Sequence, residues 1–100
     1  MDVKITKDEG KTLVTLSGRV DTTNAEQFQK DIAVLYEVNE PDFVLDCADM
    51  DYTSSQGLRI FLMLQKYVTS KSGSMVMTNM KPQVKEVFDI TGFSSIINIR

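Results

Sequence analysis

The chain has 100 residues, 42% hydrophobic and 25% charged, with 11 basic and 14 acidic side chains and a formal net charge of -3. That length supports one domain spanning residues 1–100 with a single core. The charge balance offers no concentrated basic patch for nucleic acid. With no histidine and only one cysteine, Cys47, the chain can build neither a Ser-His or Cys-His dyad nor a zinc site of Cys and His.

No apolar run reaches the roughly 20 residues that direct insertion into a membrane requires. The N-terminus, MDVKITKDEGK, lacks the apolar core of a secretory signal. Together with the lone thiol this points to a reducing, cytoplasmic setting.

Val3 to Thr6 alternates apolar and polar residues and predicts a strand with one covered face. Asp8-Glu9-Gly10-Lys11 predicts a tight turn, with Gly10 supplying the permissive backbone. Thr12 to Ser17 predicts the second arm of the hairpin. Gly18-Arg19-Val20-Asp21 leads out of it. Thr23-Asn24-Ala25-Glu26 has capping-box spacing. Ala25, Phe28, Ile32, Leu35 and Tyr36 then follow at helical intervals, predicting a helix to about Val38. Asn39-Glu40-Pro41 ends it.

Phe43-Val44-Leu45 is a continuous apolar run and predicts a central strand covered on both faces. Asp46 to Thr53 reads as a short acidic loop, in which Asp49 and Asp51 are solvated carboxylates. From Ser55 a helix follows whose apolar residues leave only a narrow polar strip of Arg59 and Lys66. That is more apolar surface than a helix lying on a sheet requires. Neighbouring helices bury the surplus, or part of it (Ile60, Met63 and Tyr67) forms a docking surface. Ser70 to Ser74 predicts a turn, Met75 to Met77 a strand, Lys81-Pro82 the start of a helix that Gly92 stops, and Ile96 to Ile99 a last strand. The fold class is α/β: a mixed sheet of four to five strands packed against helices, in the order β-β-α-β-α-β-α-β.

The chemistry concentrates where the acidic stretch meets the long helix. A helix N-terminus carries unpaired N–H groups and a partial positive charge, so a phosphate on a serine in the first turn is stabilised. Ser55 is the candidate acceptor, with Ser54 the secondary one. Gly57 reads as space left beside the hydroxyl for a partner's active site. Asp46, Asp49 and Asp51 make the neighbourhood acidic, so an added charge of roughly -1.5 to -2 would repel an acidic partner. The competing reading is that Thr53, Ser54 or Ser55 caps the helix. No constellation of base, nucleophile and orienting group supports catalysis. No Gly-rich phosphate loop supports nucleotide binding, and no cofactor or metal is implied. Cys47 reads as a small buried residue.

Two motifs occur in combination: Gly18-Arg19-Val20-Asp21 before the first helix, and Ser55-Gln56-Gly57-Leu58 within DYTSSQGLR at the start of the second. With the order of elements, they resemble STAS domains, and more narrowly the bacterial anti-sigma factor antagonists, over almost the whole chain. The resemblance implies a phospho-switched binding protein rather than an enzyme. Its partner is a serine kinase that doubles as an anti-sigma factor. The partner is bound while Ser55 is unphosphorylated and released on phosphorylation, and a serine phosphatase resets the switch. The resemblance places Asp21 near the acceptor. With the apolar surplus of the second helix, the expected partner-binding set is Asp21, Ser54, Gln56, Gly57, Arg59, Ile60, Met63 and Tyr67. The alternative is a STAS subunit of a lipid-transport ABC system or of a signalling scaffold. The sequence departs from the antagonist pattern in two places. Ser54 stands where many antagonists carry Asp. The chain also ends at Arg100, where many add a C-terminal helix, which predicts a sheet or helix face that is less covered.

Overall fold

A computed structural model describes residues 1–100. Its five strands form one sheet in sequential order. β1 (Asp2–Asp8) and β2 (Lys11–Val20) are an antiparallel hairpin. The turn residues Glu9 and Gly10 both have positive φ, as a two-residue primed turn requires. β2, β3 (Asp42–Thr53), β4 (Ser74–Thr78) and β5 (Asn98–Ile99) run parallel. The crossovers are made by α1 (Ala25–Asp31) with a 3-10 turn over Ala33–Glu37, by α2 (Ser55–Ser70), and by α3 (Pro82–Ile90) with a 3-10 turn over Phe93–Ser95. The element order is the one the sequence predicts.

Sheet growth in one direction has a consequence. Right-handed crossovers then place every helix on the same face. Val14 and Leu16 of β2, Phe43 and Leu45 of β3, and Met75 and Met77 of β4 all point into that face and are buried. The helices meet them with Phe28, Phe61 and Phe88, whose rings touch in sequence at centroid separations of 5.4 and 6.0 Å. Residues of the opposite parity lie on a face without helices. Leu13 is 39% exposed there, and Val44 and Val76 are partly exposed. Phe43-Val44-Leu45 is therefore covered on one side only, contrary to the expectation from its unbroken apolar run.

The stretch Asp46 to Thr53 is not a loop. β3 continues through it to Thr53, held by parallel pairing with β2. The register with β2 shifts twice, between Thr15 and Ser17 and between Gly18 and Arg19, and each shift inserts one extra residue into β3. The buried residues therefore fall at Cys47, Met50 and Thr53, a spacing of three where a regular strand gives two.

The first helix also differs from expectation. Asn24 precedes it without a side-chain cap, and the regular turns end at Asp31. The Thr23/Glu26 capping box does not form, because Asp21 and Asn24 bind the turn instead. Asn24 Oδ1 accepts from the Asp21 N–H at 2.8 Å, and Asp21 Oδ1 accepts from the Thr23 N–H at 2.9 Å. These are the short-range bonds by which Asp and Asn build turns. Gly92, at φ +80°, follows α3 as predicted.

Candidate functional site

β2 and β3 end side by side, with Val20 paired to Thr53. The chain then delivers Ser54 and Ser55 in opposite roles. The Ser54 N–H donates to the Val20 carbonyl at 2.8 Å, continuing the sheet by one bond. Its carbonyl accepts the Leu58 N–H at 3.0 Å, which starts α2. Its hydroxyl accepts the Gly57 N–H at 3.3 Å, and the residue is only 9% exposed. Ser54 is thus the N-cap, satisfying one of the orphan amides. Ser55 is the first helical residue and is exposed. Its hydroxyl takes no part in the cap.

Gly57 is required by packing rather than by space for a partner. A Cβ there would lie 2.3 Å from Thr53 Oγ1 and 2.5 Å from Val20 Cγ1. The first turn of α2 therefore rests directly on the ends of β2 and β3. The open space is on the Ser55 side of the helix, not at Gly57.

Asp21 begins the turn after β2. Its carboxylate accepts from Thr23 and, at 3.1 Å, from Arg19 Nε. Hydrogen bonds from the Thr23 hydroxyl and amide, then the Arg19 guanidinium, hold its carboxyl below the ordinary carboxylate value. These bonds, none of them to Ser55, fix Asp21 as an anion at the edge of the site. Arg19 also lies over the Tyr52 ring, 4.8 Å from its centroid. Asp51 pairs with Lys81, at the start of α3. The surroundings of α2's first turn are consequently mixed in charge. Sequence reasoning counted the aspartates but missed Arg19 and Lys81, the latter lying 30 residues along the chain from its partner.

The expected docking strip on α2 divides in two. Gln56, Arg59 and Met63 are exposed, with Met63 at 44%. Ile60 is buried and forms the floor of a shallow groove between α1 and α2, whose walls include Gln29 and Arg59. Tyr67 is half-buried, packs against the Tyr36 ring at a tilt of 56° with centroids 5.0 Å apart, and donates its hydroxyl to the Val38 carbonyl at 2.6 Å. Ile60 and Tyr67 are packing residues, because the short helix α1 and the turn after it cover that side of α2.

Cys47 is buried beneath the helices, and burial, with Asp46 beside it, pushes its thiol up to about 12. A thiol so seldom ionised is a packing group and not a nucleophile. No helix is long and apolar enough to cross a membrane.

Residues 2–100 match the STAS domain. A Bordetella bronchiseptica protein named "Putative anti-sigma factor antagonist BtrV" is 37% identical over 99 residues, spanning 99% of this chain and 85% of its own. The anti-sigma-B factor antagonist of Bacillus subtilis is 28% identical over 99 residues, 99% of this chain and 90% of its own. The crystal structure of an anti-sigma factor antagonist from Mycobacterium paratuberculosis superimposes with a TM-score of 0.87 at 18% identity, covering 98% of this chain and 83% of that one. With the family match running over nearly the whole length and a relative at 37% identity, the chain belongs to the STAS domain family.

Proposed function

We propose that the chain is an anti-sigma factor antagonist whose partner affinity is set by phosphorylation of Ser55. The carrying observation is the division of labour between the two serines. Ser54 is buried in the cap, while Ser55 is exposed one residue later at the start of a 16-residue helix. Only the second hydroxyl is presented to another protein's active site.

In this reading the unphosphorylated protein binds a serine kinase that is also the anti-sigma factor, and so frees the sigma factor. The partner brings ATP, magnesium and a base. The γ-phosphoryl group passes to Ser55 Oγ, the hydroxyl proton goes to that base, and ADP leaves. The new dianion sits on the first turn of α2, next to Gln56 and one turn from Arg59, and adds negative charge where Asp49 and Asp51 already lie close in sequence. Release follows, and a serine phosphatase restores the hydroxyl by hydrolysis. The chain binds and is modified, and contributes no catalysis of its own. Its place of action is the cytoplasm.

The test is recovery of partners from the native cell with Ser55→Ala and Ser55→Glu baits, followed by phosphorylation of the purified pair. A kinase-like ATPase retained by Ala and lost with Glu is the expected result, with phosphate incorporated into the wild type and not into Ser55→Ala. An unchanged set of partners headed by a transporter ATPase would overturn it. So would full phosphorylation of Ser55→Ala.

A further inference from the structure

We propose that Arg59 is the residue that holds the phosphate on Ser55, pairing with it across one turn of α2 and so removing a free guanidinium from the surface that meets the partner. The inference rests on Ser55 as the acceptor and deepens that reading. Arg59 is exposed one turn after Ser55, and no carboxylate engages it. The chain's ion pairs are Arg19–Asp21, Lys30–Glu26, Lys81–Asp51 and Lys85–Asp89.

Helical geometry brings the two positions together. Residues four apart are neighbours, with Cβ atoms roughly 5–6 Å from each other. Side chains lean toward the helix N-terminus, so a long side chain at 59 reaches back over 55. An anion four residues before a cation is also the more favourable order, because it agrees with the helix dipole. The other cations near the junction are taken. Arg19 is bound to Asp21 at 3.1 Å and lies over the Tyr52 ring, and Lys81 is bound to Asp51. Glu26, which shares the groove between α1 and α2 with Arg59, pairs with Lys30 at 3.6 Å.

The start of the helix leaves the phosphate in need of such a donor. Four amides there have no partner within the helix, and two of them are occupied. The Ser54 N–H goes to the Val20 carbonyl at 2.8 Å, and the Gly57 N–H goes to the Ser54 hydroxyl at 3.3 Å. The amides of Ser55 and Gln56 remain, fewer donors than the terminal oxygens of a phosphate accept. An arginine adds a planar fork of donors that matches phosphate geometry. One guanidinium only partly compensates a charge of roughly -1.5 to -2. The partner therefore meets an added negative charge and, at the same place, one free cation fewer.

Phosphorus NMR titration tests this on the intact chain with phosphoserine installed at position 55 during translation, at about 0.1 M salt. The second ionisation of the phosphate, ordinarily near about 6, should occur at a pH higher by about 0.3 or more in Arg59→Gln than in the wild type. Arg59→Lys should fall between them. Lys66→Gln removes the same charge about 16 Å along the helix from Ser55 and should move the titration by less than about 0.1 pH unit. The Arg59 Nε–H proton signal should move downfield when the phosphate is present. All three substitutions are at exposed positions, and circular dichroism should be unchanged. Equal titrations of wild type and Arg59→Gln overturn the proposal, as do equal shifts from Arg59→Gln and Lys66→Gln, or an Arg59 signal that ignores the phosphate. No kinase enters the measurement, so the two readings fail separately. A partner kinase that passes over Ser55 sinks the proposed function and leaves the pairing intact, whereas an unpaired phosphate that still releases the partner sinks only the pairing.

Discussion

Ser54 and Ser55 are adjacent in sequence and opposite in environment. The Ser54 hydroxyl lies in the cap, 3.3 Å from the Gly57 nitrogen, and the residue is 9% exposed, whereas Ser55 is exposed on the first turn of the same helix. The difference follows from one hydrogen bond. Pairing of the Ser54 N–H with the Val20 carbonyl at 2.8 Å holds Ser54 in the extended conformation of an N-cap, and the next residue is the first free to turn.

Replacing the two serines should separate their roles in urea unfolding. Ser54→Ala is expected to cost about 1 kcal/mol, the usual loss of a cap, and Ser54→Asp to restore most of it. Ser55→Ala should change stability by less than about 0.5 kcal/mol, as an exposed position does. Equal effects at both positions would contradict the division of labour.

Gly57→Ala is a sharper test of the packing. Helix propensity alone favours alanine by about 1 kcal/mol. The clash with Thr53 Oγ1 and Val20 Cγ1 opposes it, and overpacking of this kind costs about 1–3 kcal/mol. A net loss of stability is expected, with a lower urea midpoint. A gain would mean that α2 can lift from the strand ends freely.

The Asp21 carboxyl gives stability a pH dependence of known sign. Its folded value is held below the ordinary 3.8 by Thr23 and then Arg19. A carboxyl depressed in the folded state contributes stability that is complete above its unfolded value and is lost as pH falls through the folded value. The urea midpoint of the wild type should therefore fall below pH 3.8 more steeply than that of Asp21→Asn. Asp89, depressed by Ser94 and then Lys85, adds to the same acid loss in both proteins, so the difference between them isolates Asp21.

The thiol of Cys47, pushed up to about 12, should react with a disulfide reagent at pH 8 only as fast as the fold opens. The labelling rate is expected to rise with urea in step with unfolding. Immediate labelling of the native protein would place Cys47 at the surface.

Much of this was legible in the chain itself. Alternation found the hairpin, helical spacing found α2 and α3, and the Ser55-Gln56-Gly57-Leu58 junction marked where β3 meets α2. The Asp46–Thr53 stretch was misread for a specific reason. Two extra residues in β3 turn its buried spacing from two into three, at Cys47, Met50 and Thr53, so no alternation remains to be seen. The bulges are set by pairing with β2, which a local window cannot register. The turn before α1 failed differently. Thr23 and Glu26 have capping spacing, but Asp21 and Asn24 reach the nearby backbone first. Exposed Met63 could not be told from the packed Ile60 and Tyr67 by hydropathy, because the distinction is which side α1 covers.

The Tyr67 bond to the Val38 carbonyl ties the far end of α2 to the segment that leads into β3, and the Tyr36 ring braces it. Its near end is seated on Thr53 and Val20 by Gly57. The helix is therefore clamped at both ends, like a beam on two supports. A group added at Ser55 alters the potential outside the beam without tilting it. If Ser55 carries the phosphate proposed above, a partner has only that local change to sense, and the message would be written as charge on a stationary surface and not as a change of shape.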